Sequence, residues 1–154
     1  MPGQSRRRST RKRGQAMVEF ALVLPIFLLI LTSILDFGFA LFQRMTIINA
    51  ARDGARAAVM ATDYSTVGTL AVAAATASAS SAGVTLTSVS VDCFQTHGNN
   101  PSSLTHCNFT AGDPNEAQSG DSVVVTANYT WHSFFPLPIF STLNMTATVQ
   151  MVIE

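Results

Sequence analysis

The chain has 154 residues and a formal net charge of zero, a length that holds one small domain and an anchor but no second large domain. The zero conceals an asymmetry. Residues 1–56 carry all nine basic residues against three acids, a net of +6, whereas residues 57–154 carry six acids and no Lys or Arg, a net of −6. An arm this basic can bind nucleic acid or acidic lipid, but followed at once by an apolar run it reads as a signal that sets membrane topology, and no nucleic-acid partner is expected.

Residues 1–14 form that basic leader. Six of the nine basic residues precede Gly14, and no apolar periodicity runs through residues 1–13. The leader is expected to lack order or to be removed. From Phe20 to Leu35 the chain is apolar for 16 residues, about 24 Å of helix, and extension to Phe42 across Asp36 gives 23 residues, about 34 Å. A bilayer core of about 30 Å is therefore crossed by a helix over residues 15–42, with Asp36 near the far interface. A cleaved secretory signal needs small residues after its apolar run, and Phe37-Gly-Phe-Ala-Leu-Phe42 is too bulky for that. The span is kept, with the N-terminus cytoplasmic and the C-terminal domain periplasmic. Glu19 stands at the mouth of the run, where the positive end of a helix dipole favours a carboxylate by about 0.3–1 kcal/mol. Pro25 lacks an N–H and crowds the carbonyl of Ala21, so a kink is expected there.

Residues 43–62 continue the helix in amphipathic form. Met45, Ile48, Ala51, Ala55, Ala58 and Val59 recur at helical spacing, and Asp53 and Arg56 stand three apart, close enough to pair. The small residues of Ala50-Ala-Arg-Asp-Gly-Ala-Arg-Ala-Ala58 permit close helix approach. Residues 63–154 read as an α+β domain. Ser65 or Thr66 is positioned to cap a second helix ending at Ala82-Gly83, with Val67, Leu70, Ala71, Ala74 and Ala77 on one face. Three strands follow. Val84–Asp92 alternates with a slip near Ser88 that suggests a bulge; Val123 to Trp131 and Leu143 to Ile153 alternate regularly, odd positions apolar. A polar loop over residues 93–121 and a stretch from Phe134 to Phe140 connect them. The expected architecture is a long N-terminal transmembrane and amphipathic helix, a shorter helix and a small antiparallel sheet that the helices cover.

Few residues carry chemistry. Cys93 and Cys107 lie beyond the span, where a disulfide is allowed. His97 and His106 offer zinc as the alternative, but the spacing matches no common zinc pattern, and no metal or cofactor is expected. A cysteine nucleophile served by a histidine is the enzymatic alternative, but no catalytic fingerprint is present, so the chain is not read as an enzyme. Asp113, Glu116 and Asp121 fit no EF-hand and read as a solvated acidic loop. The sequons at Asn108, Asn128 and Asn144 read as chance, two falling in strands rich in Thr. Ser5-Arg-Arg is not followed by the apolar residues of a twin-arginine signal.

The string Gly14-Gln-Ala-Met-Val-Glu19-Phe20-Ala-Leu-Val-Leu-Pro25, then Asp36-Phe-Gly38, then Ala50-Ala-Arg52-Asp-Gly54-Ala-Arg56 resembles the TadE-like proteins of the tight-adherence (Flp) pilus apparatus. Residues 14–58 carry the resemblance, and residues 59–154 match only in layout. It implies a pilin-like fold, and a leader cut by prepilin peptidase between Gly14 and Gln15. It also makes Glu19 and Phe20 subunit-docking residues at the mature N-terminus. The carboxylate would meet the freed Gln15 α-amine of the same or a neighbouring chain. Phe20, where the major pilins usually carry tyrosine, and the chain's greater length point to a minor pseudopilin in assembly or initiation of the pilus. The implied partners are prepilin peptidase, other pilin-type or pseudopilin subunits, inner-membrane assembly proteins and membrane lipid. The implied location is the bacterial inner membrane, with incorporation into a surface pilus open. The rival reading is a plain membrane-anchored periplasmic binding or adhesion domain that keeps its leader.

Overall fold

A computed structural model describes residues 9–95, 106–110, 117–133 and 142–153. His97, Asp113, Glu116 and the connection from Phe134 to Phe140 fall outside these residues, as does the start of the leader. The described chain is α+β: two helices, then a three-stranded antiparallel sheet.

Helix α1 runs Ser9–Val59. It begins within the basic leader, six residues before the start expected at residue 15. Arg and Lys are good helix formers, and extending a long helix costs far less than nucleating one. Pro25 stands inside α1, where helix is assigned on both sides of it. Two compact units divide the chain between Phe39 and Ala40. In the first, the most apolar 18-residue window is wholly unburied, in a helix long and apolar enough to cross a membrane. Its hydroxyls are satisfied within the helix: Thr32 donates to the Leu28 and Leu29 carbonyls at 2.9 and 3.0 Å, and Ser33 to the Leu29 carbonyl at 2.7 Å. Hydrocarbon offers no other partner for such groups.

In the second unit, a 3₁₀ turn over Tyr64–Thr66 leads into α2, Val67–Ser81. The side-chain cap expected from Ser65 or Thr66 is not made; Asp63 instead caps the 3₁₀ turn that leads into α2. Thr66 makes no side-chain cap bond; the Asp63 carboxylate accepts from the Ser65 N–H at 2.9 Å and the Ser65 hydroxyl at 2.7 Å. These bonds hold the Asp63 carboxyl below the usual carboxylate range, the Ser65 hydroxyl contributing most. Helix α2 ends as expected. Gly83 adopts φ +76°, its N–H reaches the Ser80 carbonyl at 3.0 Å, and the Val84 N–H reaches the Ala79 carbonyl at 3.0 Å. This is a Schellman end, with buried Val84 closing it in one apolar cluster with Ala79.

Strands β1 (Ser88–Phe94), β2 (Ser122–His132) and β3 (Thr142–Val152) pair in the order β1-β2-β3. Ser88 pairs with Asn128 and the register continues unbroken to Phe94 and Ser122. The slip near Ser88 is therefore the strand's beginning and not a bulge. Val123, Val125 and Ala127 of β2 and Met145 and Ala147 of β3 are buried. The even positions form a polar outer face laced by side-chain bonds, among them Thr146 to the Asn128 amide oxygen at 2.8 Å and Thr130 to that of Asn144 at 3.1 Å.

Both helices cover the inner face, and the covering layer is built of small residues. One cluster joins Ile47, Ala50, Ala51, Ala79 and Val84 to Ala127, Met145 and Ala147; another joins Ala55, Ala58, Val67 and Ala71 to Val123, Val125 and Ile153. Two expectations about helix faces are corrected here. In α1, Ala51, Ala55 and Ala58 of the expected face are buried and Ile48 and Val59 half-buried, but Met45 is exposed, and Ile47, Ala50 and Gly54 join the buried side. In α2 they are Val67, Ala71, Ala75 and Ala79, while Leu70 and Ala77 are exposed. The reason is the closeness of the crossing. A Cβ on Gly54 would lie 2.9 Å from the Ala71 carbonyl oxygen and 3.0 Å from the Ala75 Cβ. Only the alanine stripe at four-residue spacing fits there, and the bulkier Leu70 and Met45 are turned outward.

Candidate functional site

The leader-proximal motif lies on a single stretch of α1. Gly14, Gln15, Glu19 and Phe20 are all exposed, and a side chain at Gly14 would meet open space. Glu19 lies about 7.5 Å along the helix axis from Gly14, five residues at about 1.5 Å each. Nothing in the local packing of Gly14 calls for glycine.

The second constellation lies on α1 beyond Phe42. An open groove of about 620 Å³ lies between α1 and the last turn of α2, lined on one side by Asn49, Arg52, Asp53 and Arg56 and on the other by Ser78 and Ser81. Asp53 does not pair with Arg56 as its spacing allowed. Its carboxylate accepts the Ser78 hydroxyl at 2.6 Å, a bond between helices that ties Asp53 to α2. Arg52 and Arg56 are exposed, and among the described residues neither side chain has an ion-pair or hydrogen-bond partner. Sequence reading missed Ser78 and Ser81. The serine-rich end of α2 carries no signal of which way it faces.

The third constellation is covalent. Cys93 and Cys107 form a disulfide with Cα atoms 5.0 Å apart. The Cys107 N–H also donates to the Cys93 carbonyl at 3.0 Å, and His106 bridges Phe94 with ring centroids 4.7 Å apart. The bond staples the returning loop along the edge of β1. The buried Asp121 carboxylate lies within 4.8 Å of both sulfurs. With the sulfurs joined, neither is a thiolate ligand. Asp121 instead organises the turn into β2, accepting from the Gln118 N–H at 2.9 Å, while its carbonyl accepts from the Ile153 N–H at 2.8 Å. That places Asp121 in the protein interior and not in a solvated acidic loop. His106 packs on Phe94, and His132 is exposed at the end of β2. Among the described residues no histidine joins the cysteines in a ligand cluster.

Searches of curated proteins and of solved structures return no match to this chain. The family model described as TadE-like protein matches residues 14–56, from the glycine ahead of the apolar run to the second arginine of the groove. Along that length of α1 the chain is similar to TadE-like proteins, and the match and the long apolar helix together fit a membrane protein associated with the tight-adherence pilus.

Proposed function

We propose that the protein is a pseudopilin of the tight-adherence pilus, anchored by residues 15–42 and serving assembly or initiation of the fibre. The observation that carries the reading is the placement of Gly14 and Glu19 at the head of one helix that also holds the whole matched segment. Prepilin peptidase would cut after Gly14 and leave a mature chain of 140 residues, the full 154 less the first 14. Glu19 then becomes the fifth residue. Cleavage creates an α-amine on Gln15 that is largely protonated near neutral pH, and this supplies the partner that a carboxylate entering an apolar helix bundle requires. Before cleavage that cation does not exist, so docking waits on processing. Pro25 loosens the helix about two turns beyond Glu19, and the domain over residues 63–154 faces the periplasm. The α2–sheet layer has no catalytic task in this reading.

The test is the intact mass of the protein co-expressed with prepilin peptidase. The wild-type chain loses its first 14 residues; Gly14→Leu keeps them. An identical size shift in the variant, or an intact leader in the wild-type chain, refutes the reading in favour of a plain membrane-anchored periplasmic domain.

A further inference from the structure

The two edges of the sheet are finished differently. Along β1, the returning chain bridges Phe94 through His106, and the Cys107 N–H donates to the Cys93 carbonyl at 3.0 Å. That strand also carries a charge at Asp92. The opposite edge is β3, and among the described residues nothing pairs with its free side. Its eleven residues, Thr142–Val152, include no charged residue, proline or glycine. Sheets ordinarily blunt such an edge, because it offers a row of unpaired N–H and C=O groups. The ladder fixes which residues offer them. The Asn128 carbonyl accepts from the Thr87 N–H at 2.8 Å, on the β1 side, and Ile153 bonds to Asp121 and Gly120 at 2.8 Å, on the β2 side. Backbone groups alternate sides along an antiparallel strand, so the odd residues of β3 bond to β2. The even ones, from Thr142 to Val152, turn N–H and C=O to the free edge. The apolar layer also stops short here. Leu143 is exposed and Val149 and Met151 are half-buried, whereas Val123, Val125 and Ala127 of β2 are fully buried.

We propose that two copies of this chain join edge to edge through β3, antiparallel about a two-fold axis at Ala147, so that the two three-stranded sheets become one. The strand matched against itself selects a second copy as the occupant. Residues that bond outward must face residues that bond outward, and full overlap about Ala147 meets that condition. Thr142 then faces Val152, Asn144 faces Gln150 and Thr146 faces Thr148 of the other copy. On the inner side Leu143 faces Met151, Met145 faces Val149, and Ala147 faces its own equivalent. Away from the strand ends, hydroxyl meets hydroxyl, amide meets amide and apolar meets apolar, the kinds of cross-strand pair that stabilise a sheet. Each copy donates six N–H groups in this register, one from each even residue of β3. Charge points to the same strand. Residues 57–154 carry six acids and no Lys or Arg, so two such domains repel where their acids meet, and β3 brings none together. A two-fold contact of this kind is self-limiting, because it consumes the free edge of both copies. The association depends on the folded sheet and not on cleavage after Gly14, so the two ideas fail separately.

The experiment uses the full chain in detergent micelles, with the protein mass followed by light scattering as concentration rises. The wild-type chain passes from one copy to two. Thr148→Pro removes an N–H that points to the free edge and leaves the bonds to β2 in place. It raises the dissociation constant roughly tenfold or more, since each copy loses a bond and the ring crowds the facing strand. Asn144→Lys/Gln150→Lys sets like charges opposite each other and weakens the dimer in the same way, whereas Asn144→Lys/Gln150→Glu sets opposite charges there and keeps it. Oxidation of Asn144→Cys/Gln150→Cys reads the register. Within one strand these positions lie about 20 Å apart, but between facing copies they lie about 5.5 Å apart, within reach of a disulfide. The double variant therefore links two chains between positions 144 and 150, and Asn144→Cys alone links none. A wild-type chain that stays a single copy and forms no link leaves the edge to a strand of a different protein and overturns the proposal. A dimer unmoved by both Thr148→Pro and the lysine pair assigns association to α1 and overturns it. Linkage through Asn144→Cys alone overturns the antiparallel register.

Discussion

Replacing Gly54 with alanine sets two physical effects against each other. In a helix interior, alanine is favoured over glycine by about 1 kcal/mol. At Gly54, however, the new Cβ would stand 2.9 Å from the Ala71 carbonyl oxygen, 3.0 Å from the Ala75 Cβ and 3.3 Å from a Val125 methyl. The nearest of these is backbone and cannot swing away, so α1 and α2 must move apart. Overpacking of this kind costs about 1–3 kcal/mol, which exceeds the propensity gain over most of that range. The expected net change is a destabilisation of about 1 kcal/mol, and Gly54→Val should cost more. Gly68 is the internal control. It is the second residue of α2, and a Cβ there meets nothing within 4 Å. Gly68→Ala should therefore stabilise by about 0.5–1 kcal/mol. Both can be read from urea unfolding of the full chain in detergent, followed by the fluorescence of its one tryptophan, Trp131. If Gly54→Ala stabilises as much as Gly68→Ala, the close crossing of α1 and α2 is not what excludes a larger residue, and the account of the alanine-built core fails.

Three further outcomes are expected. Replacing Cys93 and Cys107 together by alanine opens a ring of 15 residues and should lower stability by about 3 kcal/mol in the chain-entropy model; an unchanged urea midpoint would contradict the staple at the edge of β1. The depressed Asp63 carboxyl supports the 3₁₀ turn leading into α2 at pH values above its unfolded value, near 3.9, and the support is lost as pH falls through the lower folded value. Asp63→Ala should remove that acid sensitivity from amide-exchange protection at that turn, and a carboxyl that titrates at or above the ordinary value by NMR would refute the cause. Among the described residues the buried Gln43 side-chain oxygen has no hydrogen-bond partner, a state that costs about 1–3 kcal/mol. Gln43→Met should leave stability unchanged or raise it by about 1 kcal/mol, and a clear loss on urea unfolding would show that the amide is satisfied.

The element order could be read from pattern because pattern records local physics. Six basic residues before an apolar run of bilayer length mark an anchor whatever follows them. Alternation of Val, Ala and Tyr with Thr and Asn in β2 records a sheet with one face covered, since side chains on a strand point alternately to either side. Ala82-Gly83 ends α2 because few residues other than glycine accept positive φ. Cys93 and Cys107 could be matched because no other cysteines compete.

What periodicity could not decide was which stripe of each helix faces inward. Met45 and Leu70 are the more hydrophobic choices, and transfer energy alone would bury them. They lie outside because α1 and α2 approach until Gly54 touches the Ala71 backbone, a distance that exists only in the assembled layer. The same crossing carries Ser78 to Asp53 and opens the groove beneath Arg52 and Arg56. Hydropathy along the chain therefore determines the anchor, the strands and the ends of the second helix, which depend on near neighbours. The tertiary structure decides the packed faces and the partner of Asp53, because each depends on how closely separated segments can approach.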